Sequence, residues 1–283
     1  MRIGDVEIHL IVDGLQRGDG GGMFGLVPKV MWEPKYPADE QNRLEMLVKS
    51  LLIVDGEHRI IVDTGYGDKL SERTRRIMGI EYSGRLPQLL PRHGVDPSQV
   101  DLVINTHLHG DHGGGNTTAS GGRAVPTFPN ATYVIQRGEW HDANHPNERT
   151  RATYLPENLL PLEESGQLRL IEGDTRITDH VRCLVTPGHT PNHQSILIES
   201  RGEKALFLGD LAPFTIHIER LAWVPAYDLE PMRTIDTRRE IQRWASEEGV
   251  ILIFQHDPRV DLGRLHPDSG RYRVEPLPAE GDS

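Results

Sequence analysis

The sequence predicts a single α/β domain of sandwich type, and three observations carry that expectation. Short apolar runs with strand character recur through the 283 residues, whereas helical periodicity is sparse and mostly late. Residues capable of chemistry fall where those runs end, which is where sites collect in sheet proteins. No GxGxxG directly follows the strand read at 6–12 and no phosphate-binding GxxxxGKS/T occurs, so a nucleotide-binding βαβ array has no support.

Taken in order, residues 6–12, 47–54 and 59–63 read as strands, with Gly56 turning between the last two. Residues 18–42 are rich in Gly and Pro, carry Met23, Phe24, Trp32 and Tyr36, and show no periodicity. A stretch of that length reads as a functional loop, serving substrate or a dimer partner. Residues 86–93 suggest a short helix stopped by Gly94, and 101–106 a strand. Thr132–Gln136 is a strand and Arg137–Asn144 a helix or turn; Leu168–Ile171, Ile177 and 181–186 are short strands. Residues 195–200 and 205–209 pair as a hairpin across a polar turn. Residues 234–248 form the clearest amphipathic helix, and the unbroken apolar run at 250–254 reads as a strand buried on both faces. Residues 276–283 are polar and are expected to be a flexible tail.

Composition narrows the function. Lys plus Arg number 31 against 42 Asp plus Glu, a net charge of −11, which argues against a nucleic-acid partner. The lone Cys183 excludes a disulfide framework or a Cys-rich zinc site, and lying mid-strand it reads as a buried apolar residue. Asp5 and Glu7 stand where a signal peptide needs a basic start, and no window approaches 18 apolar residues. A cytoplasmic protein without a membrane partner is expected.

The 14 histidines are the informative excess. In DLVINTHLHGDHGGG an apolar strand runs into His107, His109, Asp111 and His112. His107 and His109, at i and i+2 on extended backbone, point the same way and can hold one ion. Asp111 and His112 follow a glycine and are displaced, which suits a second ion. His189 in VTPGHTPNH, Asp210 after ALFLG and His256 after ILIFQ are further ligand-type residues at strand ends. The seven divide into a trio of His and a mixed set, with one carboxylate left to bridge. Thr106, Thr186, Thr190 and His193 are candidates to orient them. Ser195 lacks a GxSxG elbow, so a serine hydrolase is not indicated.

THLHGDHGGG, PGHTPNH, Asp210 and His256, together with IIVDTG around Asp63, resemble the metallo-β-lactamase-fold hydrolase superfamily. The resemblance implies an αββα sandwich: two mixed β-sheets flanked by helices, with a dinuclear centre at the sheet edge. By that resemblance His107, His109 and His189 hold the first ion, Asp111, His112 and His256 the second, and Asp210 bridges; Asp63 supports the loop without binding metal. Two divalent ions are implied, zinc foremost, with Mn2+, Co2+ or Fe2+ as alternatives. A hydroxide shared by the ions would be the nucleophile and Asp111 the proton carrier.

Within the superfamily the sequence looks nearest to the acyl-homoserine-lactonase and parathion-hydrolase-like branches. A small ester or lactone is therefore the expected substrate, with promiscuous phosphotriesterase activity. Lactonases carry a tyrosine three residues after the bridging aspartate, and here Pro213 stands there, followed by Phe214. Met23, Phe24, Trp32, Phe214, His217, Trp223 and Tyr227 are the candidate pocket residues, with core packing as the competing reading. Tyr154 is a candidate to cap the pocket or to brace the connection around it. An iron oxidoreductase of the same fold, persulfide dioxygenase-like, or a thioesterase is the first alternative, and a metal-stabilised binding or structural protein without turnover the second. Only 27 residues follow His256, too few for the helical domain of glyoxalase-type thioesterases. The resemblance also admits a homodimer clasped by the 18–42 loop.

Overall fold

A computed structural model describes residues 1–278. Strands between residues 2 and 171 build one sheet. Its strands are β1 (Arg2–Ile3), β2 (Val6–Asp19), β3 (Arg43–Asp55), β4 (His58–Val62), β5 (Ile80–Tyr82) and β6 (Leu102–Ile104). After a separate hairpin, β7 (Thr117–Ser120) and β8 (Arg123–Pro126), strands β9 (Thr132–Gln136) and β10 (Leu168–Ile171) complete it. The order is β1-β2-β3-β4-β6-β9-β10, with β5 on β2. The second sheet follows chain order: β11 (Thr175–Arg176), β12 (Val181–Val185), β13 (Gln194–Ser200), β14 (Glu203–Phe207), β15 (Ile251–Ile253), β16 (Leu262–Asp268) and β17 (Arg271–Pro276).

Strand periodicity explains the layering. Leu51, Ile53, Ile60 and Val62 face inward and meet Cys183, Ile196, Ile198, Phe207 and Ile253 of the other sheet. Their neighbours Leu52 and Ile61 face outward and pack with Leu86, Leu90 and Leu162; Leu206 and Leu252 likewise pack under Ala245. Both faces of each sheet are thus apolar, the condition for a four-layer αββα sandwich. The outer layers include α1 (Gly20–Phe24), α2 (Lys29–Trp32), α3 (Glu72–Met78), α4 (Leu86–Leu89), α5 (Gly110–Gly113), α6 (Arg137–Asn144), α7 (Leu160–Glu164), α8 (Thr215–Glu219) and α9 (Pro231–Glu247). None of the described helices is long and apolar enough to cross a membrane.

Several expected boundaries move. β2 runs on to Asp19 because a bulge between Val12 and Gly14 lets the ladder continue, so the aperiodic stretch begins in a strand. The rest of 18–42 contains two short helices rather than open loop. Ile177 lies outside the strands and donates its N–H to Val181. α9 begins three residues early, since Pro231 is tolerated in a first helical turn. At the far end Pro276 closes a strand and Leu277 donates to the Leu262 carbonyl, so the expected tail starts later than residue 276. Residues 279–283 of that tail lie outside the described residues.

The register places the functional loops. Val62 pairs with Ile104 on parallel β4 and β6, and Phe207 with Ile253 on parallel β14 and β15. Val185 faces Gln194 across β12 and β13. The segments leaving Val62, Ile104, Val185, Phe207 and Ile253 therefore emerge at one edge of the sandwich.

Candidate metal centre

The loop after β6 is shaped by a buried carboxylate. Asp63 leaves β4 with a φ of 55° and accepts hydrogen bonds from Thr106 N (2.8 Å), Thr106 Oγ1 (2.7 Å) and His112 Nδ1 (2.9 Å). Extended backbone carries His107 and His109 inward, and the single turn α5 swings Asp111 and His112 after them. Asn105 and Asn116 bond across the base of the loop (2.9 Å). The closing glycines are required by contact: a Cβ on Gly115 would stand 2.1 Å from the Thr64 carbonyl oxygen.

All seven sequence-identified ligand residues converge. Ligand atoms of His107, His109 and His189 lie within 4.8 Å of one another, as do those of His107, His112 and Asp210 and those of Asp111, His112 and His256. Asp210 sits between sets: its Oδ2 is 3.2 Å from His189 Nε2 and 3.5 Å from His112 Nε2, and its Oδ1 is 3.1 Å from His256 Nε2.

The far nitrogens decide what can sit there. His112 Nδ1 donates to Asp63, His189 Nδ1 to Asp228 (2.9 Å) and His256 Nδ1 to the Leu47 carbonyl (2.8 Å). These partners can only accept, so each Nδ1 carries a proton, and it is Nε2 of each ring that faces the centre and can offer a lone pair there. These nitrogens meet carboxylate oxygens and each other; His256 Nε2 lies 3.4 Å from His112 Nε2, and His189 Nε2 lies 3.0 Å from His109 Nδ1. His107 Nε2 is buried with no hydrogen-bond partner among the described residues. Carboxylates and imidazole nitrogens crowded together call for positive charge between them, and imidazole with carboxylate is a donor set that divalent metals take. The residues fit metal ions.

The carboxylates draw positive charge to the same point: burial opposes charge on His189, yet Asp210 and Asp228 raise the ring above the ordinary imidazole value. Burial and the neighbouring rings His112, His109 and His189 hold His107 well below the ordinary imidazole value, and His109 is lowered by burial and His189. Burial opposes charge on His112, but the carboxylates of Asp111, Asp210 and Asp63 outweigh it and hold the ring well above its ordinary value. Burial likewise opposes charge on Asp210, yet His112, His189 and His256 keep its carboxyl well below the usual range.

The expected orienting residues take defined places. Thr190 Oγ1 donates to Glu139 (2.7 Å), Thr186 Oγ1 meets His193 Nδ1 (2.9 Å), and His193 Nε2 accepts from Asp210 N (3.2 Å). Burial holds the His193 ring neutral, down at about 3. Tyr154 braces, donating to Glu139 (2.9 Å) with its ring centroid 5.2 Å from that of His109. The pocket candidates lie elsewhere than on an open wall. Met23, Phe24, Trp32, Phe214 and Trp223 pack with Tyr36 in one buried cluster, Phe24 stacked on Trp32 and Phe214 on Tyr36 at centroid distances of 4.9 Å. His217 uses both nitrogens inside that cluster, donating to the Met23 carbonyl and accepting from Phe214 N. Tyr227 alone of the seven is open to solvent, its hydroxyl filling the space beside Gly22.

Sequence reasoning missed Asp228, Glu139 and Tyr66. Glu139 is fully buried and accepts from Leu108 N, Tyr154 and Thr190, tying together the loops of His107–His109 and His189. Tyr66 is buried and donates to Gln16; burial and the charge of Asp111 push its phenol well above the ordinary value.

Residues 45–256, three quarters of the chain, match the family model described as the metallo-beta-lactamase superfamily. The chain belongs to that superfamily. Its fold, metal-binding His and Asp groups and hydrolase membership are those of the family. An N-acyl homoserine lactonase from a Bacillus species is 29% identical over 231 residues, 78% of this chain and 85% of that protein. The solved structure of a probable metal-dependent hydrolase from Staphylococcus aureus superposes with a TM-score of 0.89 at 32% identity, covering 99% of this chain and 100% of that one. AidC, a dizinc quorum-quenching lactonase, superposes with a TM-score of 0.82 at 20% identity, covering 99% and 97%. At that identity the likeness to AidC speaks for the fold alone.

Proposed function

We propose that this protein hydrolyses small lactones or esters with two divalent ions, zinc foremost. The observation that carries the reading is Asp210, whose two oxygens face His189 and His112 on one side and His256 on the other. One carboxylate thus faces both ligand sets, an arrangement that suits two neighbouring ions. His107, His109 and His189 would hold one ion, Asp111, His112 and His256 the other, with Asp210 shared. Divalent ions bound there would lower the pKa of a water to near 7 and polarise the scissile carbonyl.

The chain's own residues supply the rest. Asp111 has the more accessible of the two central carboxylates, its side chain 19% exposed against 12% for Asp210. Its carboxylate would receive the proton lost by the attacking water and return it to the leaving oxygen. Asp63, Asp228 and the Leu47 carbonyl keep three imidazoles in the required tautomer. Tyr227, half-exposed and raised in pKa by partial burial and the charges of Asp19 and Asp111, stands where it would border the substrate. The choice of a lactone is supported by the N-acyl homoserine lactonases at 29% identity. Phosphotriesters would be promiscuous substrates of the same attack.

The test is metal content per chain and turnover on one sample, purified without added metal, against acyl-homoserine lactones, γ- and δ-lactones, aryl esters and paraoxon. Two ions with lactone or ester turnover is the expected result. One iron per chain without hydrolysis overturns the reading in favour of an oxidoreductase.

A further inference from the structure

Lys49 is an interior cation on β3, fully buried, and all of its polar partners belong to one turn. Its Nζ donates to the carbonyls of Phe254 (3.2 Å) and Asp257 (2.6 Å) and to Asp261 Oδ1 (2.7 Å). The two carbonyls bracket Gln255 and His256, the two residues between them. Two positions earlier on the strand, Leu47 N–H donates to the His256 carbonyl (3.2 Å) and the Leu47 carbonyl accepts from His256 Nδ1 (2.8 Å). This edge of β3 is free to receive the turn because β4 pairs with it no earlier than Leu51.

The turn is fastened from its other side as well. The Asp257 carboxylate accepts from Thr215 N and Oγ1, both 2.9 Å, and from the N–H groups of Arg259 and Val260. The supports of the His107–His109–His189 trio are separate residues, Glu139 and Asp228. Replacing a buried ion pair by apolar residues is often neutral or stabilising, so an interior ammonium aimed at one short turn is poorly explained by stability alone.

We propose that Lys49 is a positioning residue for His256, setting the affinity of the ion held by Asp111, His112 and His256 independently of the other. The inference rests on the two-ion reading above. Orienting groups of this kind are worth roughly 10- to 100-fold in metal affinity.

The experiment titrates metal-free protein with cobalt(II), following visible absorbance and bound metal at equilibrium, for wild type, Lys49→Met and Asp261→Asn. Circular dichroism checks folding, and Asp261, with its side chain 40% exposed, provides a variant less prone to fold failure. The expected result is an unchanged first ion in both variants, a second ion weakened by roughly 10- to 100-fold in Lys49→Met and by less in Asp261→Asn. Should Lys49→Met fail to fold, Asp261→Asn decides by whether its second ion alone weakens. Two ions in wild type with second-ion affinity unchanged in the folded variants overturns the inference and leaves the two-ion reading intact, as does equal weakening of both ions. A wild-type chain that takes only one ion overturns both.

Discussion

His189 presents Nε2 to Asp210 because its Nδ1 proton is already committed to Asp228, a carboxylate 39 positions away and wholly buried. Asp228 also accepts from Thr234 Oγ1 (2.7 Å) and lies 4.0 Å from the buried guanidinium of Arg238, which burial brings down to about 10. Asp228→Asn keeps the shape and removes the charge. Metal affinity at the His107–His109–His189 set should fall roughly 10- to 100-fold, read by competition with a chelator, while the Asp111–His112–His256 set is unmoved. Equal affinity in the two proteins would show that Asp228 does not orient the ring. The contrast with the sequence is instructive at this scale. The seven candidate ligand residues were legible as a group because each follows an apolar run at a strand end, and the structure brings them together. Glu139 sits in a polar segment and Asp228 in a Pro-bearing connection, where a carboxylate that will be buried looks like one that will be solvated, and only tertiary contact separates them. The aromatic residues failed as pocket markers for a related reason: Phe24 and Phe214 are equally apt for a binding wall and for a core, and here they stack.

At the scale of elements, strands buried on both faces were easy to read as unbroken apolar runs, while the edge hairpin β16–β17 was not. Its residues alternate with charges, include Pro267, and turn at Ser269–Gly270, both at positive φ, so the pattern reads as loop. Connections between elements hold testable energetics too. Lys69, between β4 and α3, donates to the carbonyls of Gly114 (2.6 Å) and Thr117, locking the end of the ligand loop, and burial pulls its ammonium down to about 8. The folded pKa thus lies below the unfolded value of about 10.4. From pH 8 toward 10.4 the unfolded chain binds more protons than the folded one, so this group adds stability as pH rises through that window and loses it as pH falls through 8. The difference in unfolding free energy between wild type and Lys69→Met, measured in urea at pH 7.5, 9 and 10, should therefore grow with pH. A flat difference would place Lys69 in solvent.

For the whole molecule, the decisive fact is that the candidate ligands come from both sheets. His107, His109, Asp111 and His112 follow β6 of the first, whereas His189, Asp210 and His256 follow β12, β14 and β15 of the second. Ions shared between them would staple the two sheets along one edge, and anything that binds only the folded state stabilises it by mass action. Cys183 reports on that staple. It lies fully buried between the sheets among Ile196, Ile198 and Phe207, and burial pushes its thiol up to about 12, so a thiol reagent reaches it only when the sheets part. When opening and closing are fast, labelling tracks the equilibrium population of the open form. With free metal at about a thousand times its dissociation constant the stabilisation is about 4.1 kcal/mol, a thousandfold in that population. Labelling of Cys183 at pH 8 should accordingly be slow in metal-replete protein and accelerate by up to roughly a thousandfold after chelation. The acceleration should decline with falling metal excess in the proportion that linkage dictates. If labelling is equally slow with and without metal, opening of the core does not release the ions, and the centre is an ornament of one edge rather than a bond between the sheets.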